Sequence, residues 1–237
     1  MKKDTKAVFF DVDDTLYDLA WPFRMAVHDM FQGRYDDSID SIFIRSRFHT
    51  DARFEEFSDG RLSPEDFHAY RHQMAFSDCG IQITREEALE LLSVYRSYQD
   101  SIAMTRTVKD MLVRLDKKGV LTGILSNGVS APQWKKIRIL KIPDYISEER
   151  IIVSGDVGYA KPHREIFDYA VNKLGLAGNE IWYVGDNHKV DIAGAKAAGW
   201  KTVWMNKRHH TLPFEGPEPE YTVTDEEGLA ELLFKIF

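Results

Sequence analysis

The run Ala7-Val8-Phe9-Phe10-Asp11-Val12-Asp13-Asp14-Thr15-Leu16 constrains this chain more than any other stretch. An apolar, β-branched and aromatic segment ends abruptly in three carboxylates within four residues. Such a run fits a strand buried on both faces, of the kind found in parallel sheets. Asp11 and Asp13 do not belong inside it, because burying unpaired charge is very costly. They belong at its carboxyl end, where open α/β sheets gather their ligands. Residues two apart on an extended chain project to the same side. The two acids therefore repel each other, by about 4 kcal/mol at ~4 Å and an effective dielectric of ~20. A cation between them relieves this, and Mg²⁺, a hard ion that takes oxygen ligands, suits the place.

A chain of 237 residues fits one large domain, or a domain that carries an insert. The formal charge of −7, with no basic block, argues against a nucleic-acid polymer or a membrane surface as partner. Cys79 is the single cysteine, which allows no intrachain disulfide and fits a reducing, cytoplasmic setting. Met1-Lys2-Lys3 has the charge of a signal-peptide start, but the apolar run between Asp4 and Asp11 is too short for its core. No stretch approaches the ~20 apolar residues of a membrane span.

From Trp21 to about Gln99 nothing reads as a strand. Pro22 can open a helix with Phe23, Ala26, Val27, Met30 and Phe31 on one stripe. A second helix is expected over 38–48. Ser63-Pro64-Glu65-Asp66 is a start signal with Ser63 as N-cap. Thr84-Arg85-Glu86-Glu87 is a capping box whose helix runs through Leu91, Leu92 and Tyr95. Four helices in ~80 residues predict a small bundle inserted after the first strand.

From Thr105 onward strands and helices alternate. Helices are expected over 105–118, 131–140, 161–174 and 191–198, and strands over 120–125, 151–153, 181–184 and 202–205. Leu212 to Glu220 reads as a surface loop before a last short strand and helix. Alternation of this kind means βα units and a mostly parallel sheet: an α/β, Rossmann-like three-layer core, residues 1–16 and 105–237, with a helical insert at 17–104.

Three further residues fall where that sheet should gather ligands. Ser126 and Asp186 each follow a strand directly, and Lys161 stands in the turn Gly158-Tyr159-Ala160-Lys161-Pro162. Singly, Ser126 reads as a helix cap, Lys161 as a solvated lysine and Asp186 as a turn former. Jointly with Asp11 and Asp13, in this order, they resemble the four motifs of the haloacid dehalogenase-like (HAD) hydrolases, most of which are phosphatases. Gly185-Asp186-Asn187-x-x-x-Asp191-Ile192-x-Gly194-Ala195 and Lys161-Pro162-x-x-x-Ile166-Phe167 strengthen the likeness. Asp-Val-Asp-Asp-Thr-Leu-Tyr is similar to nucleotidase-like members, and the insert stands where the family's first type of cap is found. Asp14 replaces a glycine frequent in the family, but aspartate tolerates a left-handed backbone.

The resemblance implies a Mg²⁺-dependent phosphatase of small phosphorylated metabolites, nucleoside monophosphates first among them. Asp11 would be the nucleophile and Asp13 the acid and base. Mg²⁺ would be held by Asp11, Asp186 and the backbone carbonyl of Asp13. Ser126, Lys161 and the backbone near Asn127 would take the phosphoryl oxygens. Asp191 and Asn187 would support these groups, with Asp191 orienting Lys161 or a metal-bound water. Asp13 itself argues against dehalogenation, since the dehalogenases lack an acid–base aspartate there. Tyr17, Trp21, Phe23 and Arg24 lie near the catalytic strand, where they either face substrate or pack the seam between insert and core. Phe57-x-Asp59-Gly60-x-Leu62-Ser63 resembles the cap's turn, and His209-His210 fits an exposed loop better than a zinc site. A phosphomutase on the same core and a receiver-type signalling domain are the alternatives. In a receiver the phosphorylated aspartate ends a third strand rather than the first.

Overall fold

In the computed structural model, which describes residues 6–178, 180–212 and 215–237, the apolar run becomes strand β1 (Ala7–Phe10), with no residue of it exposed to solvent. Residues 1–5, which include the Met1-Lys2-Lys3 start, and 213–214 of the expected 212–220 loop lie outside the described residues. β1 is flanked on both sides. β2 (Leu121–Ser126) and β4 (Ile181–Gly185) pair with it in parallel, and β3 (Ile151–Val153), β5 (Lys201–Met205) and β6 (Tyr221–Val223) complete a six-stranded parallel sheet of order β3-β2-β1-β4-β5-β6. Phe9 lies opposite Gly123 in this register, and a Cβ at Gly123 would stand 2.5 Å from the Phe9 ring. The glycine therefore makes room for the aromatic side chain that packs on Trp200, ring centres 5.1 Å apart.

The chain divides into two compact units, Met1–Asp18 with Ala103–Phe237, and Leu19–Ile102. The second unit is helical: α1 (Trp21–Phe31), α2 (Ile39–Ser58), α3 (Pro64–Asp78) and α4 (Arg85–Gln99). It closes a core of its own around Phe23, Val27, Ile42, Phe76 and Leu91. Both cap signals hold. The Ser63 hydroxyl accepts from the N–H of Asp66 at 3.1 Å, and Thr84 and Glu87 exchange their reciprocal bonds at 3.1 and 2.7 Å. Helix α2 runs ten residues beyond the expected end at Phe48. Between Phe48 and Gly60 there is neither glycine nor proline to stop it, and Arg53 and Glu56 pair along its surface.

In the first unit, α5 (Arg106–Lys117) buries Val108, Met111, Leu112 and Leu115 as the spacing predicts. There follow α6 (Ser130–Ile139), a one-turn α7 (Ser154–Val157) that the sequence reading lacked, α8 (Arg164–Leu174), α9 (Ala193–Ala197) and α10 (Glu226–Ile236). Two helices start later than expected. Lys161 and Pro162 stay in the turn before α8, because the main chain of Lys161 is bonded to the Asn127 side chain instead of entering a helical ladder. Asp191 lies in a wide π-helical turn, His188–Ile192, that precedes α9. Among the described residues no helix is long and apolar enough to cross a membrane.

Candidate active site

Lys161 is the centre of the site. Its main chain is clamped by one amide: the Lys161 N–H donates to Asn127 Oδ1 at 2.9 Å and Asn127 Nδ2 donates to the Lys161 carbonyl at 2.8 Å. With the backbone fixed, the buried ammonium donates to Asp11 Oδ1 at 2.9 Å, Asp191 Oδ1 at 2.7 Å and Tyr183 Oη at 2.8 Å. Those bonds use its three protons. Tyr183 passes its own proton to the Leu125 carbonyl at 2.7 Å. Burial disfavours the charged lysine, but Asp11 and Asp191 outweigh that and hold its pKa well above the ordinary value.

Asp11 sits one residue past β1, its N–H on the Val184 carbonyl at 2.9 Å. Burial raises its carboxyl to about pKa 6; Lys161 opposes the rise, while Asp191 and Asp13 add to it. Asp11, Asp186 and Asp191 each offer an oxygen within 4.8 Å of the others. Asp191 can approach so closely because residue 185 is glycine, where a Cβ would lie 2.4 Å from Asp191 Oδ2. Both oxygens of Asp191 are already engaged, Oδ1 by Lys161 and Oδ2 by the Asn187 N–H at 3.0 Å. Asp191 therefore acts as a brace. An all-oxygen set of three carboxylates, two of them bonded to one lysine, suits a hard divalent cation, which Asp11 and Asp186 would hold.

Asp13 is held separately. Lys136 Nζ lies 2.6 Å from each of its oxygens, and the buried Tyr17 hydroxyl also donates to it. Lys136 reaches Gln133 Oε1 at 3.1 Å, and Gln133 Nε2 donates to Ser126 Oγ at 2.7 Å. One polar chain thus runs from Ser126 through α6 to Asp13, and Ser126 keeps its own proton to donate. Asp14 has the left-handed backbone expected of it, φ 54°, and its carboxylate receives Arg208 at 2.9 and 2.6 Å; Arg208 also meets Asp18. Asn187 accepts from the N–H groups of Lys189 and Val190, both at 3.1 Å.

The structure therefore brings Asp11, Lys161 and Asp191 into direct contact, with Asp186 beside them and Ser126 linked to Asp13 through α6. Four participants escaped the sequence reading. Tyr183, a hydroxyl inside an otherwise apolar strand, and Gln133, a buried amide on a mostly exposed helix, left a trace in hindsight. Lys136 and Arg208 left none, since surface-type cations are everywhere in the chain. Tyr17 turns to Asp13. Phe23 is buried within the helical unit against Phe43, His72 and Tyr95, so packing is the outcome there.

An aspartate nucleophile candidate at the end of the central strand, a second acid two residues on and a lysine–aspartate brace define a hydrolase class built on a parallel α/β sheet. The chain belongs to the haloacid dehalogenase-like hydrolases: the model of that family matches residues 5–199. N-acylneuraminate-9-phosphatase of Homo sapiens is 30% identical over 98% of this chain and 94% of its own length. Pyrimidine 5'-nucleotidase YjjG of Escherichia coli is 38% identical over 114 residues, 48% of this chain and 49% of that protein. The solved structure of the HAD-hydrolase YfnB from Bacillus subtilis, bound to magnesium, superposes with TM-score 0.68 at 24% identity, covering 98% of this chain and 99% of that one. With the family shown, the receiver-domain alternative falls.

Proposed function

We propose that this hydrolase is a Mg²⁺-dependent phosphatase of small phosphomonoesters, nucleoside monophosphates first among them, working through an aspartyl-phosphate on Asp11. The observation that carries the reading is Lys161. A buried ammonium locked against Asp11, with Asp186 beside them, prepares a carboxylate to meet a dianion. Mg²⁺ held by Asp11, Asp186 and the backbone carbonyl of Asp13 would supply neutralisation of the phosphoryl charge.

Asp11 attacks phosphorus and the ester P–O bond breaks. The departing alkoxide takes a proton from Asp13, leaving that residue as a carboxylate beside Lys136 and Tyr17. Water then gives its proton back to Asp13 and attacks the same phosphorus, releasing inorganic phosphate and regenerating Asp11. Ser126 and the backbone at Asn127 hold phosphoryl oxygens, while the Asn127 side chain keeps the Lys161 turn in place. The helical unit is read as the part that selects among leaving alcohols. Nucleoside monophosphates come first because the residues following Asp11 resemble nucleotidase-like members, and YjjG is among the relatives.

Release of inorganic phosphate from a panel of phosphomonoesters, with Mg²⁺ and with chelator, tests this. Mg²⁺-dependent release is expected, with nucleoside monophosphates among the better esters. Isomerised sugar phosphate without free phosphate would turn the assignment to a phosphomutase, and no turnover of any ester would end it.

A further inference from the structure

In the helical unit, Arg24, Arg53, Arg61 and Arg85 each meet a carboxylate. Among the described residues Arg71 of α3 does not. It is half-buried, and among the described residues its hydrogen bond runs from Nε to His72 Nε2, 3.4 Å away. Its charged neighbours are Arg47 of α2 and Arg96 of α4. Burial, opposed by Tyr95 and reinforced by the two arginines, pushes its pKa down to about 10.

His68 lies three residues before Arg71 on α3, the spacing that makes helical side chains neighbours, and His72 follows Arg71 directly and lies four residues past His68. An Nε2 that accepts from Arg71 leaves the His72 proton on Nδ1. That Nδ1 is buried and has no partner among the described residues, and neither has Nδ1 of His68. Buried polar atoms are ordinarily satisfied, so two orphans beside an uncompensated guanidinium point to a missing acceptor. No carboxylate of the described chain supplies it, although the protein as a whole is acidic.

We propose that Arg71, with Arg47 and Arg96 beside it and His68 and His72 on the same helix, forms an anion-binding site of the helical unit that takes a carboxylate or phosphate group of a small organic anion. A planar guanidinium suits such an oxyanion because it can donate two parallel bonds. Two sources share this chemistry: an acidic group of the substrate itself, or a separate small anion.

Calorimetric titration of the metal-free full-length chain with malonate and with inorganic phosphate tests the site. The wild type is expected to bind malonate. Arg71→Met should bind it at least about tenfold more weakly, a loss of about 1.4 kcal/mol, and Arg71→Lys should keep part of the affinity. Without any anion the melting temperature of Arg71→Met should equal or exceed that of the wild type, because a half-buried charge with no carboxylate among the described residues is gone. Equal malonate binding by both proteins, no binding by the wild type at millimolar malonate, or an Arg71→Met protein that melts several degrees lower without anion would each overturn the proposal. Wild-type kinetics then separate the sources. Malonate inhibition confined to phosphate esters that carry a carboxylate marks the substrate's own acid; inhibition that extends to p-nitrophenyl phosphate marks a separate anion. That last arm rests on the phosphatase reading, whereas the titrations do not, so either can fail alone.

Discussion

The ammonium of Lys136 lies 2.6 Å from both carboxylate oxygens of Asp13, bringing a helix residue 123 positions along the chain onto the acid that follows the candidate nucleophile. Tyr17 also donates to Oδ1, so the carboxylate of Asp13 is held from two elements of the fold. Lys136→Met should lower kcat by on the order of 10–10²-fold, the usual cost of removing a group that orients a reacting one. Lys136→Arg should restore much of that loss. Equal kcat in all three proteins would leave Lys136 as a surface ion pair only.

Asp13→Asn should lose both proton transfers, each typically worth 10²–10⁴-fold. The two losses separate in time with p-nitrophenyl phosphate, whose leaving group needs little protonation. Rapid-mixing experiments should then show a burst of p-nitrophenol followed by slow turnover, as phosphorylated Asp11 waits for a base. Steady turnover without a burst, at the wild-type rate, would remove Asp13 from the mechanism.

Asp11→Asn should abolish turnover and yet stabilise the metal-free protein. The folded carboxyl titrates at about 6, against an ordinary 3.8, so the native state prefers it protonated. That preference contributes stability fully below pH ~4 and loses it as pH rises through about 6. The amide mimics the protonated form. In chelator at pH 7 the variant should gain up to ~3 kcal/mol, from about two pKa units at 1.36 kcal/mol each, and the gain should vanish near pH 4. Chemical denaturation at several pH values reads this directly, and a gain that grows toward low pH would contradict it.

Tyr183→Phe removes an acceptor for Lys161 and a donor to the Leu125 carbonyl. Leaving such buried groups unmet costs about 1–3 kcal/mol. The melting temperature should fall accordingly, and kcat/KM should fall with it as Lys161 loses one of its three anchors. A variant as stable as the wild type would mean that water replaces the hydroxyl.

Phe23→Ala should act on stability, by roughly 3–5 kcal/mol as for other buried aromatics, because the ring packs inside the helical unit. Trp21 is 36% exposed, and Trp21→Ala should instead change the ranking of phosphate esters by kcat/KM. A uniform loss across all esters in Trp21→Ala would assign it to packing too.

Much of this was legible in residue order. The apolar run ending in acids marks the central strand, capping signals at Ser63 and Thr84 mark their helices, and βα alternation gives a parallel sheet. Backbone-encoded features read well because each has a local cause. Partners that reach the site from far along the chain did not. Nothing near Lys136 announces that it will meet Asp13, and Arg208 meets Asp14 from 194 residues away. The overlong α2 is a milder case: its polar second half lacks an apolar stripe to mark it, although nothing stops the helix there.

β1 comes first in the chain but sits in the middle of the sheet, between two strands made much later. During synthesis, at ~5–20 residues per second, the stretch from Phe10 to Leu121 takes roughly 6–20 s to appear. Throughout that interval Ala7-Val8-Phe9-Phe10 has left the ribosome, or is leaving it, with neither neighbour in existence. The helical unit is complete before β2 begins and has its own core to close. A nascent chain of this kind therefore carries a folded module beside a sticky, unpaired strand, and it is in that state that a ribosome-bound chaperone would have most to protect.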